Sequence, residues 1–194
     1  TRGVDTELFN PTRREVLPGE GPILMYVGRV AMEKNIEAFL NTKTAGTKYV
    51  VGGGPALDHM RNKFPEIHFV GPKFGEELAK YYASADVFVF PSLTDTFGLV
   101  MLEALASGTP VAAYPVTGPI DVITDPRAGS LNNDLKIAIE TALKLKREDC
   151  RKFALGFSWR TSIDQFVSNL CPISYAVKTV KNKNSDTHII KILI

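Results

Sequence analysis

Short apolar runs alternate with amphipathic stretches between Pro22 and Val116. The runs are rich in Val, Ile, Phe and Tyr and show little strict alternation, which is typical of strands that are covered on both faces of a sheet. They are PILMYVG from Pro22, KYVVGG from Lys48, IHFVG from Ile67, DVFVFPS from Asp86 and TPVAAYPV from Thr109. The pattern therefore predicts five buried strands.

The stretches between these runs have the length and the apolar spacing of helices that connect parallel strands. The predicted helices cover 33–40, 55–63, 75–84 and 99–107. Strands and helices that alternate in this way indicate an α/β protein, with a Rossmann-like open parallel sheet and helices on both faces.

The chain beyond Asp125 reads as helical. Asn132 or Asn133 is the predicted N-cap of DLKIAIETALKLK, which is followed by EDCRKFALGF and by SWRTSIDQFVSNL with Ser158 as its cap. From Pro172 onward the chain is polar and Lys-rich, so we expect KTVKNKNSDTH to be mobile. The terminal HIIKILI either adds an edge strand, packs on the body or is of vector origin. We predict one domain over 1–171 and a tail over 172–194.

The composition narrows the function classes. With 194 residues, 44% of them hydrophobic and 23% charged, the chain can bury the core of one domain. A net charge of +2 is too small to indicate nucleic acid as a partner. No apolar run reaches the roughly 18 residues of a membrane span, and Cys150 and Cys171 lack metal-ligand spacing. We therefore expect a cytoplasmic protein without a metal ion and, since Thr1 is not Met, a fragment of a longer one.

Two cations follow the first predicted strand in the segment GRVAMEKN. Ligands of open parallel sheets bind at the carboxyl ends of the strands, so Arg29 and Lys34, after Gly28, are expected to project into that crevice. A guanidinium and an ammonium group together suit a phosphate or diphosphate. The alternative is a pair of surface ion pairs with Glu33 or Glu37, which would carry no function.

Two further strand ends carry candidate binding loops. The segment VVGGGPALDHM resembles a phosphate loop, but it lacks both the GxGxxG and the GK[ST] spacing, so a tight strand-to-helix turn is the alternative. In IHFVGPKFGEEL, Gly71, Pro72 and Lys73 follow the third strand. Backbone groups there can contact a nucleobase, although an ordinary loop has the same composition.

The segment DTFGLVMLEALASGTPVAAYPV holds two acids on a mostly apolar background, Asp95 and Glu103. Gly98 frees the backbone at the start of a predicted helix, so the amides of Phe97 to Val100 lack partners and form an anion site. Asp95 can instead act as the N-cap of this helix. Glu103 needs a partner, and the two vicinal hydroxyls of a ribose would supply one, with an ion pair to a Lys or Arg as the alternative.

These motifs together resemble the C-terminal, donor-nucleotide domain of retaining glycosyltransferases of family 4, which have the two-domain GT-B fold. The resemblance covers Arg2 to Leu170 and is carried by RGVDTELFNP, VGRVAMEKN, VVGGGP, FVGP, ASADVFVFPS, DTFGLVMLEALASGTPVAAYPV and SWRTSIDQF. It implies the C-terminal half of a GT-B enzyme that transfers a hexosyl group. The runs DTFGLV and AAYPVTGPIDVI look most like mannosyl- or related transferases, which use GDP- or UDP-sugars on lipid or glycan acceptors.

The resemblance also implies roles for single residues. Arg29 and Lys34 would bind the diphosphate and stabilise the leaving nucleotide without a metal ion. Glu103 would bind the ribose hydroxyls, and Asp95 would contact the donor sugar. Asp95 stands where the family motif has Glu, and its shorter side chain favours an indirect or water-mediated contact. The implied donor site comprises Gly28, Arg29, Lys34, Gly71, Pro72, Lys73, Thr96, Phe97, Gly98, Leu99, Val100 and Glu103.

The family enzymes also have an N-terminal acceptor domain, and no part of this sequence resembles it. We therefore expect an isolated donor domain that binds a nucleotide sugar without turnover, and a full-length enzyme that associates with the membrane surface. Three alternatives stay open: a non-catalytic nucleotide-binding module, a sugar-nucleotide epimerase of the same architecture, and a glycosidase that uses the two acids.

Overall fold

The structure is a computed structural model that describes residues 3–94, 98–170, 178–181 and 188–191. The chain divides into two compact units, Thr1–Ser162 and Ile163–Ile194. Three residues of the predicted donor site lie outside the described residues: Asp95, Thr96 and Phe97.

A six-stranded parallel sheet forms the centre of the first unit, in the order β3-β2-β1-β4-β5-β6. The strands are β1 Ile23–Val27, β2 Thr47–Val51, β3 His68–Gly71, β4 Val87–Phe90, β5 Val111–Ala113 and β6 Gly129–Leu131. The five predicted strands are all present. The strand β6 was not predicted, and the chain there was expected to be helical. The segment Gly-Ser-Leu is too short and too polar to be recognised as a buried strand.

Helices connect these strands and continue beyond them. Two short 3-10 helices cover Pro11–Arg13 and Met32–Lys34. The α-helices are α1 Ile36–Asn41, α2 Leu57–Lys63, α3 Gly75–Ser84, α4 Leu99–Ala106, α5 Pro119–Val122, α6 Leu135–Ala142, α7 Arg147–Leu155 and α8 Trp159–Ser168. Of the described helices, none has the length and apolar character that crossing a membrane requires.

Two predicted helix starts differ from the structure. Lys34 ends a 3-10 helix instead of opening an α-helix, since Asn35 adopts a left-handed conformation (φ +50°) before α1 begins. The N-cap of α6 is Asp134, whose Oδ1 accepts the amide of Lys136 at 2.8 Å, and neither of the two asparagines predicted for that role is the cap. The Ser158 cap is confirmed, because its hydroxyl accepts the amide of Thr161 at 3.1 Å.

The core lies on both faces of the sheet, as the apolar runs predicted. Successive residues of β1 alternate between the two sides, with Met25 in one cluster and Leu24 in the other. Residues of α3, α4 and α7 complete the first cluster, and residues of α1, α2 and α6 complete the second. The carboxyl edge of the sheet therefore lies between two layers of helices.

In the second unit, β7 Lys178–Lys181 pairs antiparallel with β8 His188–Lys191. Residues 178–181 of the polar segment form this strand, and the expected mobility of the segment stays a prediction. Residues 188–191 of the terminal run pair with this strand in a two-stranded sheet. The remaining residues of the predicted tail lie outside the described ones, and the predicted boundary at 172 stays a prediction.

Candidate functional site

The direction of strand addition reverses between β1 and β4, which lie side by side in the sheet. The chain leaves β1 toward the face with α1 and leaves β4 toward the face with α4. Such a switch point opens a crevice at the carboxyl edge of a parallel sheet, where ligands bind. The side-chain amide of Asn35 donates to the carbonyl of Pro91 at 3.0 Å and so joins the two loops that flank the switch point.

A cavity of about 230 Å³ lies at the carboxyl ends of β1, β2 and β3. It brings together four predicted site residues, Gly28, Arg29, Pro72 and Lys73. The sequence did not single out Phe74, which also lines the cavity and is 78% exposed. An aromatic residue directly before a helix, at a strand's carboxyl end, was the available signal.

The glycine run after β2 is a point of close main-chain packing. The amide of Gly28 donates to Val51 at 3.0 Å, and the amide of Val30 donates to Gly53 at 2.9 Å. The amide of Gly52 donates to Gly71 at 2.9 Å, so this loop is bound to both neighbouring strand ends. The predicted tight turn is thus present, and Gly52 and Gly53 also line the cavity.

The two predicted diphosphate ligands lie on the loop after β1. Arg29 is exposed and pairs with Glu33 at 3.1 Å, which is the surface ion pair that the sequence left as the alternative. Lys34 is half-buried at the end of the second 3-10 helix. Because exposed pairs contribute only about 0–1 kcal/mol, an incoming anion can replace Glu33 on the Arg29 guanidinium at little cost.

Lys73 turns back onto its own helix. Its Nζ donates to Glu77 Oε1 at 2.5 Å and lies 5.7 Å from the centre of the Tyr81 ring. The hydrogen bond to Glu77 raises the pKa of Lys73. The aliphatic part of this side chain therefore lines the cavity while its charge is already neutralised.

The start of α4 has the geometry of an anion site. Gly98 is the N-cap and adopts φ +72°, and no side chain of the described residues caps the helix. The carbonyl of Gly98 accepts the Met101 amide at 2.9 Å. No acceptor in the described part of the chain contacts the amides of Gly98, Leu99 and Val100, so they present donors and the positive end of the helix dipole.

Glu103 lies half-buried one turn inside α4, and the alternative left open by the sequence, an ion pair with a Lys or Arg, does not occur among the described residues. Its Oε2 instead accepts a hydrogen bond from the hydroxyl of Tyr82 at 2.9 Å. Burial raises the pKa of Glu103, and the hydrogen bond from Tyr82 opposes this rise. Sequence reasoning missed Tyr82, because an aromatic residue on the apolar face of a helix reads as core.

Among the residues described, no three His, Cys, Asp or Glu side chains form a group suited to a metal ion. The carboxyl edge of the sheet thus has a small cavity, the Arg29 guanidinium, the backbone amides at the start of α4 and the Glu103 carboxylate. These groups can bind an anion together with hydroxyl donors.

Comparison with known proteins identifies the family of this chain. A profile of the family described as "Glycosyl transferases group 1" matches residues 21–147. The chain is 36% identical over 185 residues to a GDP-mannose-dependent alpha-mannosyltransferase of Mycobacterium tuberculosis, which covers 87% of this chain and 49% of that protein. It is 37% identical over 142 residues to a sulfoquinovosyl transferase of Arabidopsis thaliana, covering 66% of this chain and 28% of the relative.

Among solved structures, sucrose-phosphate synthase from Thermosynechococcus elongatus superposes with a TM-score of 0.72 at 28% identity, over 86% of this chain and 50% of that one. The chain thus spans about half the length of the mannosyltransferase and of the synthase that it matches. The predicted fold, the C-terminal half of a GT-B glycosyltransferase, is confirmed. The chain belongs to the glycosyl transferases group 1 family.

Proposed function

We propose that this chain binds the nucleotide diphosphate of a sugar donor, GDP-mannose or a related nucleotide sugar. It would form the donor half of a retaining hexosyltransferase that acts on a lipid or glycan acceptor. The observation that carries this proposal is the 36% identity to a GDP-mannose-dependent alpha-mannosyltransferase over 87% of the chain.

The groups at the carboxyl edge match the parts of a nucleoside diphosphate. The base would occupy the cavity of about 230 Å³ beside Pro72 and Phe74. Glu103 would accept hydrogen bonds from both ribose hydroxyls on Oε1, which has two lone pairs, while Oε2 accepts from Tyr82. The diphosphate would bind the amides at the start of α4, with Arg29 and Lys34 on its other side.

The proposed mechanism depends on the negative charge that develops on the departing phosphate. When the bond between the sugar C1 and the β-phosphate oxygen breaks, its electron pair stays on the phosphate, and the acceptor oxygen bonds to C1. With retention, which the family resemblance implies, the acceptor proton passes to the departing phosphate oxygen. Arg29 and Lys34 would stabilise this growing negative charge, so the reaction as proposed needs no metal ion.

The acceptor site belongs to residues outside these 194 in this proposal, because the relatives are about twice as long. The chain alone would bind donor without turnover, and weakly, since a half-built cleft loses preorganisation. A cytoplasmic location, a membrane-peripheral full-length enzyme and the absence of nucleic acid as a partner remain parts of the same proposal.

Calorimetric titration of GDP, UDP, GDP-mannose and UDP-glucose tests the proposal. We expect the wild-type chain to bind and Glu103→Ala to bind about tenfold more weakly, the loss of hydrogen bonds to a charged group. Glu140→Ala is the matched control, because Glu140 is an exposed glutamate on α6, paired with Lys136 at 3.7 Å. EDTA should leave binding unchanged. If the folded chain binds no nucleotide, or Glu103→Ala equals the wild type, the site assignment is wrong.

Product analysis with GDP-mannose separates the catalytic alternatives. We expect no transfer to glycan or lipid acceptors by the 194-residue chain. Sustained transfer would contradict the proposal that the acceptor site lies outside these 194 residues. An altered sugar on the nucleotide, formed without acceptor, would favour the epimerase instead.

A further inference from the structure

Tyr82 is held from both ends inside the first unit. Its ring is fully buried and meets the rings of Phe9 and Phe88 edge-on, with centroids 5.7 Å apart in each case. Its carbonyl accepts the hydroxyl of Thr109 at 2.6 Å, and its own hydroxyl donates to Glu103 at 2.9 Å. These contacts restrict the side chain, so the Tyr82 hydroxyl is directed at Glu103.

Glu103 depends on that donor. The side chain lies half-buried on a helix that is otherwise apolar, where a carboxylate without a hydrogen bond is costly. In the part of the chain that the structure describes, Tyr82 is the residue that donates to this carboxylate, and it contacts Oε2. Among the described residues no donor contacts Oε1, whose two lone pairs can accept from another donor.

The contact also links two helices that begin at different parts of the crevice. Tyr82 lies on α3, which starts directly after the cavity-lining Pro72, Lys73 and Phe74. Glu103 lies on α4, which follows Gly98 at another part of the crevice. The hydrogen bond from Tyr82 to Glu103 therefore joins the two helices.

We propose that Tyr82 is a positioning residue for ribose recognition: its hydroxyl holds Oε2 of Glu103, so that Oε1 is aimed at the ribose hydroxyls of the donor nucleotide. This inference rests on the proposed function. A glutamate side chain has three rotatable bonds, and fixing it in advance removes an entropy cost that ribose binding would otherwise bear. The residue itself touches no substrate.

A role in folding alone predicts something different. If Tyr82 only fills the core, then Tyr82→Phe lowers stability and changes the affinity of all nucleotides by the same factor. If it positions Glu103, the variant loses affinity selectively for nucleotides that carry ribose hydroxyls. The ratio of affinities for a ribonucleotide and its dideoxy analogue separates the two roles.

The experiment compares GDP with 2′,3′-dideoxy-GDP, and UDP with its analogue, on the 194-residue chain. Wild type should prefer the ribonucleotide, Glu103→Ala should show no preference, and Tyr82→Phe should keep only about a tenth of it, a loss typical of one hydrogen bond to a charged group. In the double variant, Tyr82→Phe should add nothing. Tyr49→Phe is the control, since it removes a buried hydroxyl that donates to Pro18 at 2.6 Å.

The outcomes distinguish this inference from the proposed function. A wild type that does not prefer the ribonucleotide contradicts the role of Glu103 itself, and so does a Glu103→Ala variant that keeps this preference. A Tyr82→Phe variant that keeps the full preference contradicts only the role of Tyr82. Should Tyr82→Phe fail to fold, 3-fluorotyrosine at position 82 preserves the packing and strengthens the donor. The preference should then rise, and an unchanged preference would overturn the inference.

Discussion

Gly52 lies so close to Gly28 that a Cβ atom on Gly52 would be 1.9 Å from the Gly28 carbonyl oxygen. Gly52 also adopts φ +142°, a conformation that L side chains rarely take. Its amide donates to Gly71 at 2.9 Å, so this residue joins the loops after β1, β2 and β3. Close main-chain approach explains a glycine here, and the cavity above it depends on that approach.

Gly52→Ala should therefore destabilise the protein by about 3 kcal/mol, in the range of strained or overpacked sites, and should abolish nucleotide binding. Gly53→Ala adds the same methyl group at the next residue, where the nearest atom is the Pro72 Cδ at 3.8 Å. We expect less than about 1 kcal/mol there. Urea unfolding of both variants measures the difference, and equal midpoints would contradict the close-approach argument.

The sheet was predictable because buried parallel strands leave continuous apolar runs in the sequence. The strand β6 was not predictable, because its contact with β5 requires a residue without a side chain at position 129. A Cβ on Gly129 would lie 2.6 Å from the carbonyl oxygen of Val111, so glycine lets the two strands approach. From sequence alone, glycine in a short polar segment reads as a turn.

The candidate site was predictable as far as topology dictates it. Gly28, Arg29 and Gly98 follow strands, and parallel strands end at one edge. The partner of Glu103 was not predictable, since Tyr82 lies 21 positions earlier and meets it only through the packing of two helices. Local sequence also did not show that Lys73 would turn back to Glu77.

Arg151 connects the N-terminal segment to the end of α4. Its guanidinium donates to the carbonyls of Phe9 and Ala106 at 2.7 Å and of Thr6 at 2.8 Å. Arg151→Met would leave three carbonyls without their donor and should lower the free energy of unfolding by about 2–3 kcal/mol. Thermal and urea unfolding measure this loss. Lys152→Met changes the exposed neighbour on the same helix and should have almost no effect; a similar loss in both variants would refute the role of Arg151.

Cys150 should be inert in the folded protein. Its thiol is fully buried, lies 3.7 Å from the carbonyl of Arg127, and has its pKa raised by burial to about 12. In a Cys171→Ser background, a thiol reagent at about pH 8 should modify Cys150 at least a hundredfold more slowly than the unfolded chain. The urea dependence of that rate should follow global unfolding. Rapid modification without urea would show that α7 opens locally.

Glu103 should reduce the stability of the protein near neutral pH. Burial raises its pKa above the ordinary value of 4.5, although the hydrogen bond from Tyr82 opposes the shift. Folding therefore favours the protonated carboxyl. The associated stability is present below the unfolded pKa and is lost as pH rises through the folded pKa.

Glu103→Gln stays neutral and still offers an oxygen to the Tyr82 hydroxyl. We expect it to exceed the wild type by on the order of 1 kcal/mol at about pH 8, as substitutions of functional residues often do, while losing ribose preference. Below about pH 4 the gain should vanish, because the wild-type carboxyl is then protonated in both states. Urea unfolding across this pH range measures it, with Glu140→Gln as the exposed control. A gain that did not depend on pH would show that desolvation of the Glu103 carboxylate is not its source.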